Sequence, residues 1–540
     1  MGTKNLNSAT NLITFTRASG GTALRKISYG NELVTNGTFD TDLSGWTANS
    51  FATLSLSSGS IRVENNSNNL GLAIQEIDLE AGKTYHFSTN LIAINDLLAQ
   101  FTVNTSTNYS TNVAGLTNSS TTGTKTFNYT PSSSGTYYII LAHRGGNILG
   151  KYAEFDNVSV KEVLYDQPDG TLQLFNSPAN VPRIEYDATG AVKGLLIEEA
   201  RTNTISTSEV APTAYSGGIT KSVDSSVVSP AGGNNVEKFT LSSVNSQHYF
   251  GNHNNISASS GYSTYSIFAK ASGHNLIRLR MKNTVGLFYC DYNLATGQKQ
   301  VNSSAHSSVT GAIESMGNGW WRCSMTYASE KTNPYATVFL INAMDASLSN
   351  SFLGDGTSGV YVWGSQYEAG AFPTSYIPTS GSTATRAADF AQIPTSAFGY
   401  NNDKGSLVID VLMPDVDQFM ILTYFNTTSY HNSRGFVKSN SPSNGIGNFY
   451  SYRIFDGAST LLPLGAQTQA ERTKLGLSYG DSERAVRDGG TAISGTSRSP
   501  NPTRLFLGGR DTGLQSQCWI KSIKYYPRQL TDTQLQELTT

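Results

Sequence analysis

The stretch STYSIFAK, Ser263 to Lys270, decides the fold class. It follows a small-residue turn, SASSG (Ser257 to Gly261), and alternates Tyr, Ile, Phe and Thr with smaller residues. β-branched and aromatic residues in a short run bounded by turn residues read as a strand. The same pattern recurs along the chain. LEAGKTYHFS (Leu79 to Ser88), TYYIILAH (Thr136 to His143) and SLVIDVLM (Ser406 to Met413) are further examples. Helical periodicity is scarce; LTDTQLQEL (Leu530 to Leu538) reads as one short terminal helix, with Thr531 or Asp532 near its cap. Many short strands with few helices predict an all-β chain built of tandem antiparallel β-sandwiches.

Composition narrows the function classes. The chain has 540 residues, with 37 Lys+Arg against 39 Asp+Glu, a net charge of −2. Charged residues make up 14%, against about 25% in ordinary soluble chains. A balance this neutral gives no broad electrostatic footprint for nucleic acid or an anionic membrane. With 38% hydrophobic residues, 28 Tyr and 23 Phe, there is enough apolar matter for several cores. No apolar run approaches the roughly 20 residues of a membrane span. The N-terminus has no apolar region of a secretory signal, which predicts a protein made in a cytoplasm. Three cysteines cannot form a disulfide framework or a four-thiolate zinc site. Cys290 and Cys323 either pair, if adjacent in a sheet, or are buried thiols on strands; the second is the expectation.

Internal similarity divides the chain. The turn-strand LEAGKTYHFS resembles SASSGYSTYSIF (Ser257 to Phe268). The closing strand AEFDNVSVKEV (Ala153 to Val163) parallels SGVYVWGSQYEAG (Ser358 to Gly370). The predicted layout is an N-terminal ordering segment (1–30), a first jelly roll (31–164) and a connector (165–204). A second jelly roll (205–380), a Pro/Ser/Thr-rich linker (381–404) and a third sandwich (405–540) follow. The first 30 residues are too polar and Gly-rich to fold alone, and are expected to order against the virion or a sister chain.

Several segments carry a resemblance as a set. They are ITFTRASGGTALR (Ile13 to Arg25), NVPRIEYDATGAVKGLLIEEARTN (Asn180 to Asn203), GNGWWRCSMT (Gly317 to Thr326) and GVYVWGSQYEAGAFPTSYIPTSGSTATRAAD (Gly359 to Asp389). Together they resemble tail-fibre and head-spike-fibre proteins of tailed bacteriophages. ELVTNGTFDTDLSGWT (Glu32 to Thr47) and AEFDNVSVKEV resemble the opening and closing strands of jelly-roll carbohydrate-binding modules. The C-terminal unit resembles concanavalin A-like, laminin-G-like lectin sandwiches. In the fibre proteins the ITFTRAS block leads quickly into NVPR; here residues 31–164 intervene. The first sandwich therefore reads as an insertion, and Ile13 to Ser19 should lie close to residues 180–200. Insertion at an exposed loop costs little, because sandwich termini are often neighbours.

The string EIDLE places Glu76, Asp78 and Glu80 on one strand face, since alternate residues share a face. Paired carboxylates so arranged suit a retaining glycosidase. The plainer account, three acids on a solvated edge, is preferred, and no catalytic residue is assigned. The jelly-roll resemblance implies one structural Ca²⁺, with Asp40 and Asp156 at the matching positions; the alternative is two turn aspartates. No other cofactor is expected. Candidate sugar contacts are Trp46 and Trp320, and Tyr430, His431, Arg434 and Tyr450 in a turn-rich stretch between Phe425 and Gly457. Trp363 and Trp519 read as core residues.

These readings predict a non-enzymatic virion fibre or spike subunit, a tail fibre above all, that adheres to host surface polysaccharide. The resemblance implies a homotrimer attached to other virion proteins through its N-terminus. The alternatives are a purely structural virion part (head fibre, decoration or collar) and, less favoured, a glycoside hydrolase or its binding arm.

Overall fold

In the computed structural model the chain is described at residues 13–96, 98–144, 148–209, 218–233, 236–253, 261–282, 287–302, 309–329, 335–344, 350–414, 420–426, 432–438, 448–455, 458–466, 472–496, 501–509 and 515–540. It divides into two compact units: Lys26–Thr171, and Met1–Arg25 together with Leu172–Thr540.

The Lys26–Thr171 unit is one sandwich. Its first sheet is organised by the long strand Tyr152–Tyr165, which pairs antiparallel with Tyr85–Ile94, with Ser60–Asn65 and with residues 27–32. The opposing sheet runs Thr47–Ala48, Leu72–Leu79, Gly135–Arg144, Leu98–Asn104, Asn112–Ser119. Both sheets turn apolar residues inward, and Ile61, Val63, Ile77, Phe87, Phe101, Ile139 and Val160 form one core. The alternation in Leu72–Leu79 has a plain cause: Ile77 and Leu79 enter that core while Glu76 and Asp78 face solvent.

The other unit holds two sandwiches. In the first, a six-stranded sheet runs Ile219–Asp224, Val236–Leu241, Gly359–Ala369, Gly261–Ser272, Trp320–Ser329, Thr310–Gly317. It faces a five-stranded sheet with Leu276–Lys282 and Leu287–Asn293 near its centre. Tyr265, Ile267, Leu279, Met281, Cys323 and Val338 fill the space between. The strand Gly261–Ser272 is buried on both faces from Ser263 to Ala269, because a second apolar cluster, including Phe268, Trp320, Trp363 and Tyr376, covers the back of its sheet. Cys290 and Cys323 lie on opposing sheets as buried free thiols, so pairing within one sheet does not occur. Burial pushes the Cys290 thiol up to about 11.

The remaining sandwich packs two seven-stranded sheets. One runs Thr14–Thr16, Phe390–Pro394, Arg504–Leu507, Met420–Asn426, Asn432–Lys438, Asn448–Phe455, Ala458–Ala466. The other begins Ile184–Tyr186, Val192–Ile197, Cys518–Tyr526, Gly405–Leu412, Arg472–Tyr479. Leu407, Ile409, Phe425, Phe436, Leu475 and Ile520 are among its core residues. The terminal helix Asp532–Thr539 has Thr531 as its N-cap in a reciprocal capping box with Gln534, and buries Leu535 beside Val408 and Val486.

Three expected boundaries are corrected. The connector 165–204 contributes Ile184–Tyr186 and Val192–Ile197 to the last sandwich. The linker 381–404 contains the strands Ala384–Arg386 and Phe390–Pro394. The N-terminal segment orders, from residue 14 on, against its own chain: Thr14–Thr16 pairs with Phe390–Gln392. Short strands flanked by Pro and Gly look like loops locally, because their place is set by tertiary pairing: Thr14–Thr16 with residues 390–392, and Val192–Ile197 with the strand Cys518–Tyr526. Ile13 to Ser19 and residues 180–200 are neighbours, as the insertion reading expects: Arg17 N donates to Asn180 Oδ1 and Asn180 N to Arg17 O, each at 3.0 Å.

Candidate functional site

The blocks ITFTRAS, NVPRIEY, GLLIEEARTN and ATRAAD each carry charges among apolar or small residues, and the fold brings those charges together. Arg17, Arg183, Glu198, Arg386 and Asp389 are all 0–1% exposed. Arg17 Nη1 meets Asp389 Oδ1 at 3.1 Å, and Arg183 Nη2 meets Asp389 Oδ2. Arg183 Nη1 lies 2.9 Å from Glu198 Oε2, and Arg386 Nε lies 3.5 Å from the same oxygen. Backbone groups complete the net. Glu198 N donates to Asp389 Oδ2 at 2.9 Å and Asp389 N to Glu198 O at 2.8 Å. Arg17 Nη2 donates to Pro178 O at 2.7 Å, and Arg386 Nη2 to Glu199 O at 2.6 Å.

A second ring of polar side chains continues the net into the six-stranded sheet. Glu368 Oε1 accepts from Gln366 Nε2 at 2.6 Å and from Thr374 N at 2.9 Å. Asn203 Nδ2 donates to Ile377 O at 2.9 Å, while Asn203 Oδ1 accepts from Tyr367 N at 3.1 Å. Ser375 N donates to Glu198 Oε1 at 2.7 Å, closing the loop. Gly21 leaves little room beside this net: a Cβ there would stand 3.1 Å from both Arg17 Nε and Arg183 Nη1, and the guanidiniums would have to shift by a few tenths of an ångström.

Burial opposes the charge on Glu198, but Arg386, Arg183 and the Ser375 hydrogen bonds outweigh it and hold the carboxyl down to about 2. Arg17 is a weaker cation than an ordinary guanidinium. Burial, joined by the like charge of Arg183, brings its guanidinium down to about 10 against the pull of Asp389. A carboxylate depressed on folding stabilises fully above its unfolded value and loses that contribution as pH falls through the folded value. Stability should therefore decline between about pH 4.5 and pH 2 by on the order of 3 kcal/mol from Glu198 alone. Urea midpoints measured across that range should show the decline, and Glu198→Gln should flatten it.

A cleft of about 190 Å³ opens beside the net, between Ser19–Gly21 and the segments Tyr376–Pro378 and Ala384–Arg386. Its floor includes Arg386, whose nitrogens are engaged by Glu199 O, Ala387 O and Glu198. The arrangement clamps chain segments and offers no free cation to an anion.

The residues expected to make sites are placed elsewhere. Glu76, Asp78 and Glu80 are exposed; Asp78 Oδ1 accepts from Thr136 Oγ1 at 2.8 Å, and Glu80 pairs with Lys83 at 2.9 Å. Asp40 and Asp156 lie on neighbouring segments, since Val158 N donates to Gly37 O at 2.9 Å. Asp40 Oδ2 already accepts from Thr38 Oγ1, and both oxygens of Asp156 accept from Asn157. Among the described residues no three acidic, His or Cys side chains are grouped as metal ligands. These two carboxylates alone cannot supply the six to eight oxygen ligands of Ca²⁺, and backbone carbonyls and water would have to provide the rest.

The aromatic candidates are corrected by burial. Trp46 is 7% exposed, packs on Phe39 and donates its indole N–H to Asn36 O at 3.3 Å. Trp320 is 2% exposed and donates to Val228 O at 2.9 Å. Neither presents a ring face to a sugar. Arg434 is fully buried, 3.5 Å from Glu483 and stacked 4.0 Å over Tyr479, so it faces no ligand. Tyr430 and His431 lie outside the described residues, and of Tyr450 only its place in the strand Asn448–Phe455 is described. Trp363 is core, as expected, but Trp519 is half-buried, with Lys193 Nζ 4.1 Å over its ring and Glu185 accepting from its indole.

No family model and no curated protein matches this chain. Among solved structures, it is similar to the CBM40 of a Ruminococcus gnavus IT-sialidase at 14% identity and TM-score 0.21, covering 26% of this chain and 84% of that one. It is similar to domains LG4-5 of the mouse laminin α1 chain at 10% identity and TM-score 0.20, covering 60% and 95%. A Trypanosoma rangeli sialidase bound to the inhibitor DANA aligns at 9% identity and TM-score 0.23, covering 95% and 93%. Scores this low say nothing about what the chain binds.

Proposed function

We propose that the chain is a subunit of a bacteriophage fibre or spike that adheres to glycans on the host surface and performs no catalysis. One observation supports this reading above others. The blocks that resemble phage fibre proteins converge on a buried clamp, through Arg17, Arg183, Glu198, Arg386 and Asp389. A motif spent on holding sandwiches together leaves the exposed loops free to differ between proteins, which is how an adhesin scaffold divides its labour. Weak sugar sites multiplied in a homotrimer on a virion give strong attachment through avidity.

The test uses the labelled full-length protein on a panel of bacterial strains. Binding to a subset of strains is expected, abolished when surface glycans are oxidised with periodate and retained after protease treatment of the cells. Absence of binding to every strain would overturn the adhesin reading and favour a purely structural virion part. Release of shorter oligosaccharides from the bound polysaccharide would overturn the non-catalytic reading.

A further inference from the structure

The Lys26–Thr171 sandwich has two ends of different character. The chain enters and leaves near residues 27–32 and 161–165, which pair with one another. Tyr152 lies at the opposite end of the 14-residue strand Tyr152–Tyr165, roughly 40 Å away at about 3.3 Å per residue. Three loops meet at that far end. Asn66 N donates to Phe51 O at 3.0 Å, Gly150 N to Asn65 O at 2.8 Å and Leu149 N to Asn68 Oδ1 at 3.3 Å.

These links gather apolar side chains that the fold does not bury. Phe51 is 40% exposed, Ile148 43% and Leu149 62%. The 65–71 loop beside them reads Asn65-Asn66-Ser67-Asn68-Asn69, with Asn66, Asn68 and Asn69 exposed. The nearby charges Lys151 and Asp96 pair with each other at 3.3 Å. Among the described residues the tip thus presents one aromatic ring, two aliphatic side chains and several carboxamides, with one further acid, the half-buried Glu64, beside it on the strand opposite Tyr152.

We propose that this tip binds a neutral glycan. Phe51 would stack on the apolar face of a pyranose, flanked by Ile148 and Leu149, while Asn66, Asn68 and Asn69 hydrogen-bond its hydroxyls. Carboxamides donate and accept, as hydroxyls do, and so match a ligand that carries both roles without charge. A protein partner fits less well: a stable protein interface buries about 800 Å² per side, which three apolar side chains do not supply. The proposal rests on the adhesin reading and names where it acts.

The experiment compares full-length wild type with Phe51→Ala/Leu149→Ala and with Leu353→Ala, an exposed aliphatic residue of the other unit that is 70% exposed. The probe is surface polysaccharide extracted from a strain that wild type binds, titrated by calorimetry, with thermal melting as the fold control. Removal of a stacking aromatic and its flank should weaken binding by about tenfold or more at unchanged melting temperature. Leu353→Ala should bind as wild type does. Unchanged affinity in the double variant, with wild type still binding, overturns the tip assignment and leaves the adhesin reading intact. No polysaccharide binding by wild type overturns both. Cell binding lost in the double variant but sensitive to protease and resistant to periodate assigns the tip to a protein and overturns the glycan.

Discussion

Asp389→Ala should destabilise the unit formed by Met1–Arg25 and Leu172–Thr540 by about 3–5 kcal/mol, the cost of breaking a buried ion pair by removing one partner. Asp389 is fully buried, and its oxygens neutralise Arg17 and Arg183 while accepting from Glu198 N. Without it, Arg17 loses the carboxylate it pairs with, and Arg183 is left to share Glu198 with Arg386. Two of those cations can reach solvent only by dislodging the backbone they hold, at Pro178 for Arg17 and Thr22 for Arg183. Urea unfolding followed by tryptophan fluorescence reports mainly on this unit, because four of the five tryptophans, Trp320, Trp321, Trp363 and Trp519, lie within it, and a Trp46→Phe background removes the signal of the fifth. The companion variant Arg17→Met/Asp389→Leu removes a cation with the anion and should be less destabilised than Asp389→Ala. A loss below about 1 kcal/mol for Asp389→Ala would place the net among ion pairs that contribute little, and the clamp would then reduce to ordinary packing.

The sequence made the strands legible and left their partnerships hidden. EIDLE reads as an alternating strand and is one: Ile77 and Leu79 enter the core while Glu76 and Asp78 face water. STYSIFAK also reads as a strand, yet Thr264 and Ser266 are fully buried with Tyr265 and Ile267. Its alternation reports two covered faces rather than one, and local sequence does not show what covers the second. The clamp was half visible. Its residues sit in the quoted blocks, and their signal is charge embedded in apolar surroundings, as in FTRAS and LLIEEA, in a chain with only 14% charged residues. What no local window shows is that Arg17 and Asp389 are partners across 372 positions. The exposed tip at Phe51 escaped because exposure is a property of the loops around a residue.

Trp320→Ala separates a core role from a sugar-binding one. Trp320 is 2% exposed and packs in one cluster with Phe268, Trp363, Tyr376 and Leu174 on the back of the six-stranded sheet. Its indole N–H donates to Val228 O, a bond that positions the 227–231 segment, where Val227 and Ala231 also join the cluster. Truncation to alanine removes the ring from this cluster and leaves a cavity, for an expected cost of about 3–5 kcal/mol. Val228 O loses its donor in the same step, but being near the surface it can turn to water. Measured by urea unfolding, the variant should fall in stability by that amount, and glycan binding at temperatures where it remains folded should be unchanged. A sugar platform behaves in the opposite way: its removal abolishes binding and leaves the melting temperature where it was. Trp46→Ala gives the matching experiment in the Lys26–Thr171 sandwich, where the ring contacts Phe39 at 5.6 Å between centroids. Loss of stability without loss of affinity at both positions would place recognition on the loops, with the tryptophans as the framework that holds them.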